Sequence, residues 1–348
     1  MHTTLTPRPT KTNADNAFAY HTMSVRLPAN IRNVVASRPD YPRIVAEEAE
    51  RLAESIENND PLPPPPRPAW DDAVWRASYE RRAGDRWLDT DWFFAETYGF
   101  RLLLAATRYF ETKIDPFAPM KTRELESGAA FEPIRRFLDD DGPGAALSSG
   151  AAARDDIDAA AITTVLEEAL HLSTWGNKAD ISFTAGGELD RSGGDAAYLL
   201  INDGLRAVER IAGDGEVVEH GTRGADATHG ARAGDNDGPA GKHVPAPGRG
   251  ADDAIHIVTD NAGAELAGDL ILASAIRRFV GKPVILHVKF YPTYVSDTTV
   301  EDVHTFLSYA RGDHHPLVRD FASYIDGEIA SGGVRIVADP FWCEEGFF

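Results

Sequence analysis

With 348 residues, 43% of them hydrophobic, and with six Trp, ten Tyr and sixteen Phe, the chain can build a sizeable core and two subdomains, which excludes a mainly disordered polymer. Thirty-five basic against fifty-five acidic residues leave a formal charge of −20, a field that repels nucleic acid and anionic membrane surfaces and sets both aside as partners. The same field repels a phosphorylated metabolite, so a phosphate site here needs a local positive charge, which a bound cation supplies; the overall acidity itself needs no more than solubility or a salty cytoplasm.

A single cysteine, Cys343, rules out an intramolecular disulfide. No apolar run approaches the roughly 18 residues of a membrane span. Met1 to Lys11 is rich in Thr and Pro and lacks the apolar centre of a signal peptide. The expected compartment is therefore the cytoplasm.

Residues 1 to 35 show no clear pattern. From Pro39 to Asn58 the spacing predicts a helix, with Val45, Ala49, Leu52 and Ile56 on one face. Pro61 to Pro68 is a stiff polyproline stretch that cannot continue a helix and reads as a spacer rather than a docking ligand. Residues 70 to 112, dense in Trp87, Trp92, Phe93, Phe94, Tyr98, Phe100 and Tyr109, read as amphipathic helices packed around aromatic rings. A further helix is predicted over 155 to 172, with Asp155 and Asp156 at its positive end and Ile162, Val165, Leu166 and Ala169 as its buried stripe. This helical part is assigned to residues 1 to 195.

After that the character changes. Tyr198 to Ile201, Ile255 to Thr259, Val284 to Phe290 and Val334 to Ala338 are β-rich runs, the later ones separated by helical patterns, which predicts a parallel sheet covered by helices over residues 196 to 348. Residues 212 to 253, without Leu, Ile or an aromatic residue, read as a disordered insertion in which His220, His229 and His243 are solvated rather than metal ligands.

The chemistry is expected where the strands end. The run Ile255 to Thr259 stops at Asp260 and Asn261, a Gly-containing turn follows, and Leu266, Leu270 and Ala273 mark the buried face of a helix. Ligands of open α/β sheets bind outside the carboxyl ends of strands, where helix N-termini offer free N–H groups to an anion. Glu265, in the first helical turn, can reach the same cleft. The run Val284 to Phe290 repeats the arrangement and places Asp297 beyond a neighbouring strand end. Two carboxylates and one amide oxygen suit Mg²⁺ or Mn²⁺ rather than a thiolate-loving metal. His287 and Lys289 share one strand face, and Lys289 is placed to offset phosphate charge. Asp and Asn are also common after strands as turn formers and caps, so the residues alone admit both a cation site and plain capping.

Four segments in order carry a resemblance: Phe93 to Leu125 (FFAETYGFRLLLAATRYFETKIDPFAPMKTREL), Ser173 to Ser182 (STWGNKADIS), Thr259 to Ala273 (TDNAGAELAGDLILA) and His287 to Thr299 (HVKFYPTYVSDTT). Together they resemble the DUF89 family of metal-dependent damage-control phosphatases, in the branch that includes a protein once described as an acidic-residue carboxyl methyltransferase. The resemblance covers about residues 70 to 342, broken by the insertion. It implies a helical N-terminal subdomain packed on a Rossmann-like three-layer α/β/α unit with a mostly parallel sheet. It implies Asp260, Asn261 and Asp297 as ligands of one divalent cation (Mn²⁺, Mg²⁺, Co²⁺ or Ni²⁺), with Glu265 lining the substrate pocket. The implied activity is hydrolysis of phosphate monoesters of small molecules, sugar phosphates included, with either water or Asp260 as nucleophile. The family's Lys-Gly-Asp segment and Arg-Thr-x-Lys motif, which follow the Pro-Phe-Trp region, are not met before Phe348, so the C-terminal part of the family domain is expected to be missing. Two other readings stay open: an S-adenosylmethionine-dependent carboxyl methyltransferase, and a truncated, non-catalytic metal-binding remnant.

Other residues read plainly. Asp313-His314-His315 is expected in a solvated loop, Cys343 in packing, His171 at a helix end, and Trp175-Gly176-Asn177 in the pocket wall.

Overall fold

The computed structural model of the chain describes residues 9–66, 69–148, 159–176, 202–213 and 253–344. Asn16 caps α1 (Ala17–His21), its side chain accepting from the Ala19 amide. A wide turn over Thr22–Arg26 leads without a break into α2 (Leu27–Ala36). α3 (Arg43–Glu57) buries Val45, Ala49, Leu52 and Ile56, the stripe that its spacing predicts. After the proline stretch come α4 (Asp72–Glu80), α5 (Trp92–Ala106), the short α6 (Tyr109–Thr112), α7 (Ala118–Glu126), α8 (Glu132–Leu138) and α9 (Ala145–Ser148). α5 is buried on nearly every side from Phe94 to Ala105; it is mostly apolar, and its two buried charges, Glu96 and Arg101, pair with Arg26 and Asp71.

α10 (Ala159–Trp175) and α11 (Gly204–Ala212) precede the sheet. α10 buries Val165, Leu166 and Ala169, and it runs on past the expected end, so His171 lies one turn inside it. The expected strand at Tyr198 to Ile201, the expected insertion with its three histidines, and the expected boundary near residue 195 lie outside the described residues.

The sheet is parallel and three-stranded, formed by β1 (Ile255–Val258), β2 (Val284–Lys289) and β3 (Val334–Asp339) in that order. α12 (Ala264–Ala275) connects β1 to β2; α13 (Val300–Gly312) and α14 (Pro316–Ser331) connect β2 to β3. This is the α/β arrangement that alternating strand and helix patterns predict. Side chains alternate across each strand. Ile257, Val284, Leu286, Val288 and Val334 enter a core cluster with α8, α10, α12, α13 and α14.

A second cluster is built round α2, α3 and α5, with Trp75, Trp87, Phe94, Tyr98 and Phe117 fully buried. Each such side chain contributes roughly 1.5–3 kcal/mol on burial. Tyr291 and Val295, from the loop after β2, belong to this helical cluster. The loop that carries Asp297 is therefore anchored among the aromatic helices while its parent strand sits in the other core. No helix among the described residues is long and apolar enough to cross a membrane.

Candidate metal centre

Parallel strands put their carboxyl ends on one side, and here the ends of β1 and β2 are stitched together. The Ala262 amide donates to the Ser296 carbonyl at 2.7 Å, and the Thr298 amide donates to the Asp260 carbonyl at 2.7 Å. Between these bonds Asn261 and Asp297 form an antiparallel bridge, so the two residues face each other directly. The Asn261 amide is fixed at both ends: Nδ2 donates to Glu265 Oε2 at 2.8 Å, and Oδ1 accepts from Ser296 Oγ at 2.5 Å. Asn261 and Asp297 are buried, 7% and 4% exposed, whereas Asp260 opens to solvent. Three of the residues singled out from the sequence are thus brought together, and Glu265 stands beside them.

Lys289 lies on the same strand face as His287, as the alternation predicts. Its Nζ is 3.1 Å from Asp297 Oδ2, so it offsets the charge of that carboxylate. Burial pulls the Lys289 pKa down, but the charges of Asp297 and Asp260 outweigh it and the net direction is upward. Burial pushes Asp297 up to about 7; Lys289 pulls against this, and the like charge of Asp260 adds to it. Two carboxylates that feel one another, one of them buried, favour a cation between them. Among the described residues no three His, Cys, Asp or Glu side chains form a metal-holding group by themselves. The candidate set instead combines two carboxylates with the amide oxygen of Asn261. Two carboxylates and an amide are hard donors, and they fit Mg²⁺, Mn²⁺ or a similar divalent ion.

The start of α12 differs from its expected state. Its first N–H groups are expected to be open to an anion; one of them, the Ala264 amide, donates instead to Glu124 Oε1 of α7 at 3.1 Å. The physical reason is that an orphan helix N–H takes any well-placed carboxylate, and α7 supplies one. Asp313 also departs from its expected solvated state: its side chain is 6% exposed, accepts from the His315 amide, and lies 3.6 Å from Arg135. Cys343 is buried as packing, its sulfur accepting from the Phe290 amide. Gly176, of the Trp-Gly-Asn segment, packs so tightly on Glu265 that a Cβ there would lie 2.9 Å from the Glu265 Cα. Gly176 of that segment thus packs against Glu265, and Asn177 lies outside the described residues.

Several neighbours carry no mark in the sequence. Tyr294 takes φ +52°, a strained backbone for a bulky residue, and its hydroxyl is 2.7 Å from Thr97 Oγ1. Burial raises its pKa, with Asp260 and Asp297 adding to the effect, so the phenol stays neutral beside the carboxylates. Asp269 sits inside α12 and accepts from Ser173 Oγ at 2.6 Å. Burial pushes it up to about 7, with Ser173 pulling down and Asp260 pushing up.

Asp269 therefore predicts a pH effect. Its folded pKa lies above its value in an unfolded chain, about 3.9, so the native state favours the protonated form. The contribution is present below the unfolded value and is lost as pH rises through about 7. Asp269→Asn is expected to match the metal-free wild type in stability near pH 4 and to exceed it by on the order of 2–4 kcal/mol at pH 8. Denaturant unfolding at both pH values checks this; a constant difference between the two proteins would refute it.

A parallel sheet with an oxygen-rich cluster at its strand tips and an aromatic helical cap defines the class. The chain belongs to the damage-control phosphatase family: the model of the damage-control phosphatase ARMT1-like domain matches residues 22–217 and 246–348. Among curated proteins it is similar to the damage-control phosphatase ARMT1 of Danio rerio, with 22% identity over an alignment 372 positions long that covers 97% of this chain and 75% of the relative.

Proposed function

We propose that the chain hydrolyses phosphate monoesters of small metabolites, sugar phosphates among them, with one divalent cation held by Asp260, Asn261 and Asp297. The observation that carries this reading is the pairing of the two strand-tip segments, which sets Asn261 opposite Asp297 and lets the Asp260 charge act on the Asp297 carboxyl. Family membership supports the phosphatase chemistry. Mn²⁺, Mg²⁺, Co²⁺ and Ni²⁺ all suit the donor set.

When bound, the cation supplies Lewis-acid neutralisation of charge on the phosphoryl oxygens. The remaining work falls to the chain's own groups, mostly as positioning and fixed electrostatics. Glu265 and Ser296 hold the Asn261 amide in one orientation. Lys289, ion-paired to Asp297, keeps a permanent positive charge beside the phosphoryl position and counters the repulsion that a net charge of −20 exerts on an anionic substrate. Asp260, open to solvent, is the group of the three that an incoming phosphoryl group meets; it either orients a water or attacks directly.

The test is phosphate release from an aryl phosphate by the full chain with Mn²⁺, Mg²⁺, Co²⁺ or Ni²⁺, and with a chelator. Activity is expected with at least one cation, to vanish in the chelator, and to vanish in Asp260→Ala. Equal rates in Asp260→Ala and the wild type, or full activity in the chelator, would end the assignment.

A further inference from the structure

The geometry points to one turn of α7 as the element that positions the candidate cation ligands, with Lys121 and Glu124 as its two contacts. These residues are three apart on a helix and so share a face. Lys121 is 5% exposed, and its three ammonium protons meet three acceptors: Asp302 Oδ2 at 2.7 Å, the Asp297 carbonyl at 2.9 Å and Asp115 Oδ2 at 3.1 Å. Asp302 is itself committed to the start of α13, where its carboxylate accepts from the Thr299 amide at 2.9 Å and Thr299 Oγ1 accepts in return from the Asp302 amide. Lys121 thus holds both Asp297 and Asp302, which lies five residues beyond it in the first turn of α13.

Glu124 reaches the other strand tip. Its Oε1 accepts from the Ala264 amide at 3.1 Å. Gly263, with φ +85°, makes room: a Cβ on it would lie 2.1 Å from Glu124 Oε2. Only a residue without Cβ admits the carboxylate there, and the positive φ is one that glycine takes at little cost. The segment after Asn261 and the carbonyl of Asp297 are therefore both tied to one rigid helical turn. The ligands come from two different strands, and their separation is set by the loops that follow. A brace across both loops is what a coordination sphere needs, since its donors must hold position within a few tenths of an ångström. Residues behind the ligands typically influence cation affinity by about 10–100-fold.

This inference rests on the cation reading of the site, and one experiment separates the two. Mn²⁺ is titrated into the full chain and free Mn²⁺ is followed by electron paramagnetic resonance, for the wild type, Lys121→Met, Glu124→Ala, Glu124→Gln and Ile56→Ala. Lys121→Met and Glu124→Ala are expected to bind about 10–100-fold more weakly. Glu124→Gln, which keeps an acceptor oxygen for the Ala264 amide, is expected to bind as the wild type does. Ile56→Ala, which opens a cavity in the helical cluster away from these contacts, is the control for general destabilisation and is expected to bind normally. No Mn²⁺ binding by the wild type removes the cation reading itself. Wild-type binding matched by Lys121→Met and Glu124→Ala overturns the positioning role, as does an equal loss in Ile56→Ala. If Lys121→Met does not fold, the comparison of Glu124→Ala with Glu124→Gln decides.

Discussion

Asp297→Asn is expected to lower cation-dependent phosphate release by about 10³-fold while leaving the fold of the metal-free protein intact. A Lewis-acidic cation contributes several kcal/mol to the transition state, and each 1.4 kcal/mol is about tenfold in rate. Asparagine has the same shape and keeps an oxygen facing Lys289 Nζ, 3.1 Å away in the wild type, and Asp260 still acts on that ammonium as a counter-charge, so Lys289 is not left alone; what is removed is the charge that a cation requires. The charge is also the part that the fold tolerates least. Burial already pushes Asp297 up to about 7, so at pH 8 the native state carries an ionised carboxylate that a dry setting disfavours. The two effects should therefore separate: activity and Mn²⁺ affinity fall together, and the denaturation midpoint of the metal-free protein does not. Below about pH 7 wild-type Asp297 takes up a proton and competes with the cation, so Mn²⁺ affinity should rise from pH 6 to pH 8 in the wild type. Steady-state rates, Mn²⁺ titrations and denaturant melts on one preparation test all of this. A variant that keeps its activity, or that loses activity only because it unfolds, would remove Asp297 from the mechanism.

The parts of the fold legible from the sequence are those fixed by local pattern. β-branched runs found β1, β2 and β3, and the apolar stripe of α3 and the core positions of α12 emerged at the residues expected. The stretch before residue 36 was not legible, although Leu27, Ile31 and Val34 lie at helical spacing in α2. Pro28 breaks the pattern there; it follows directly on the widened turn over Thr22–Arg26, in which the Leu27 amide donates to the Thr22 carbonyl. Within the candidate site, the strand-tip oxygens were visible because chain direction and strand ends place them. Their supports were not. Lys121 and Glu124 look like solvated charges on a short polar helix, and their partners at the strand tips stand more than 130 residues away. Asp269, a single carboxyl in the apolar sequence LAGDLILA, gave no hint of the Ser173 hydroxyl from α10 that meets it. Contacts between distant elements are set by tertiary packing, which periodicity does not encode. The same reason hid the Arg135 partner of Asp313.

A buried ion pair beneath the Asp297 loop supplies the second large effect. Arg101, in the middle of α5, donates from Nε to Asp71 Oδ2 at 2.8 Å and from Nη2 to Asp71 Oδ1 at 2.7 Å. The side chains are 3% and 0% exposed. The guanidinium lies 3.9 Å from the Phe110 ring centroid, and Phe110 in turn meets the Tyr291 ring edge-on. Arg101→Met leaves the Asp71 carboxylate in a dry setting without its partner, and the expected cost is about 3–5 kcal/mol in denaturant unfolding. Arg101→Lys keeps the charge but loses the planar fork and the stacking on Phe110, and should fall in between. Asp71→Asn alone should be costly as well, because it leaves the guanidinium buried. The double variant Arg101→Met with Asp71→Leu should recover most of the loss, since a buried pair typically gives little net stability over apolar residues of similar volume. The coupling energy from that cycle is the deciding quantity. A coupling near zero, or a cost below about 1 kcal/mol for Arg101→Met, would show that water reaches the pair. A large coupling together with a double variant as stable as the wild type would mean that the pair contributes geometry more than stability. It joins the start of α4 to α5 and, through Phe110, bears on Tyr291, the residue by which the Asp297 loop enters the helical core.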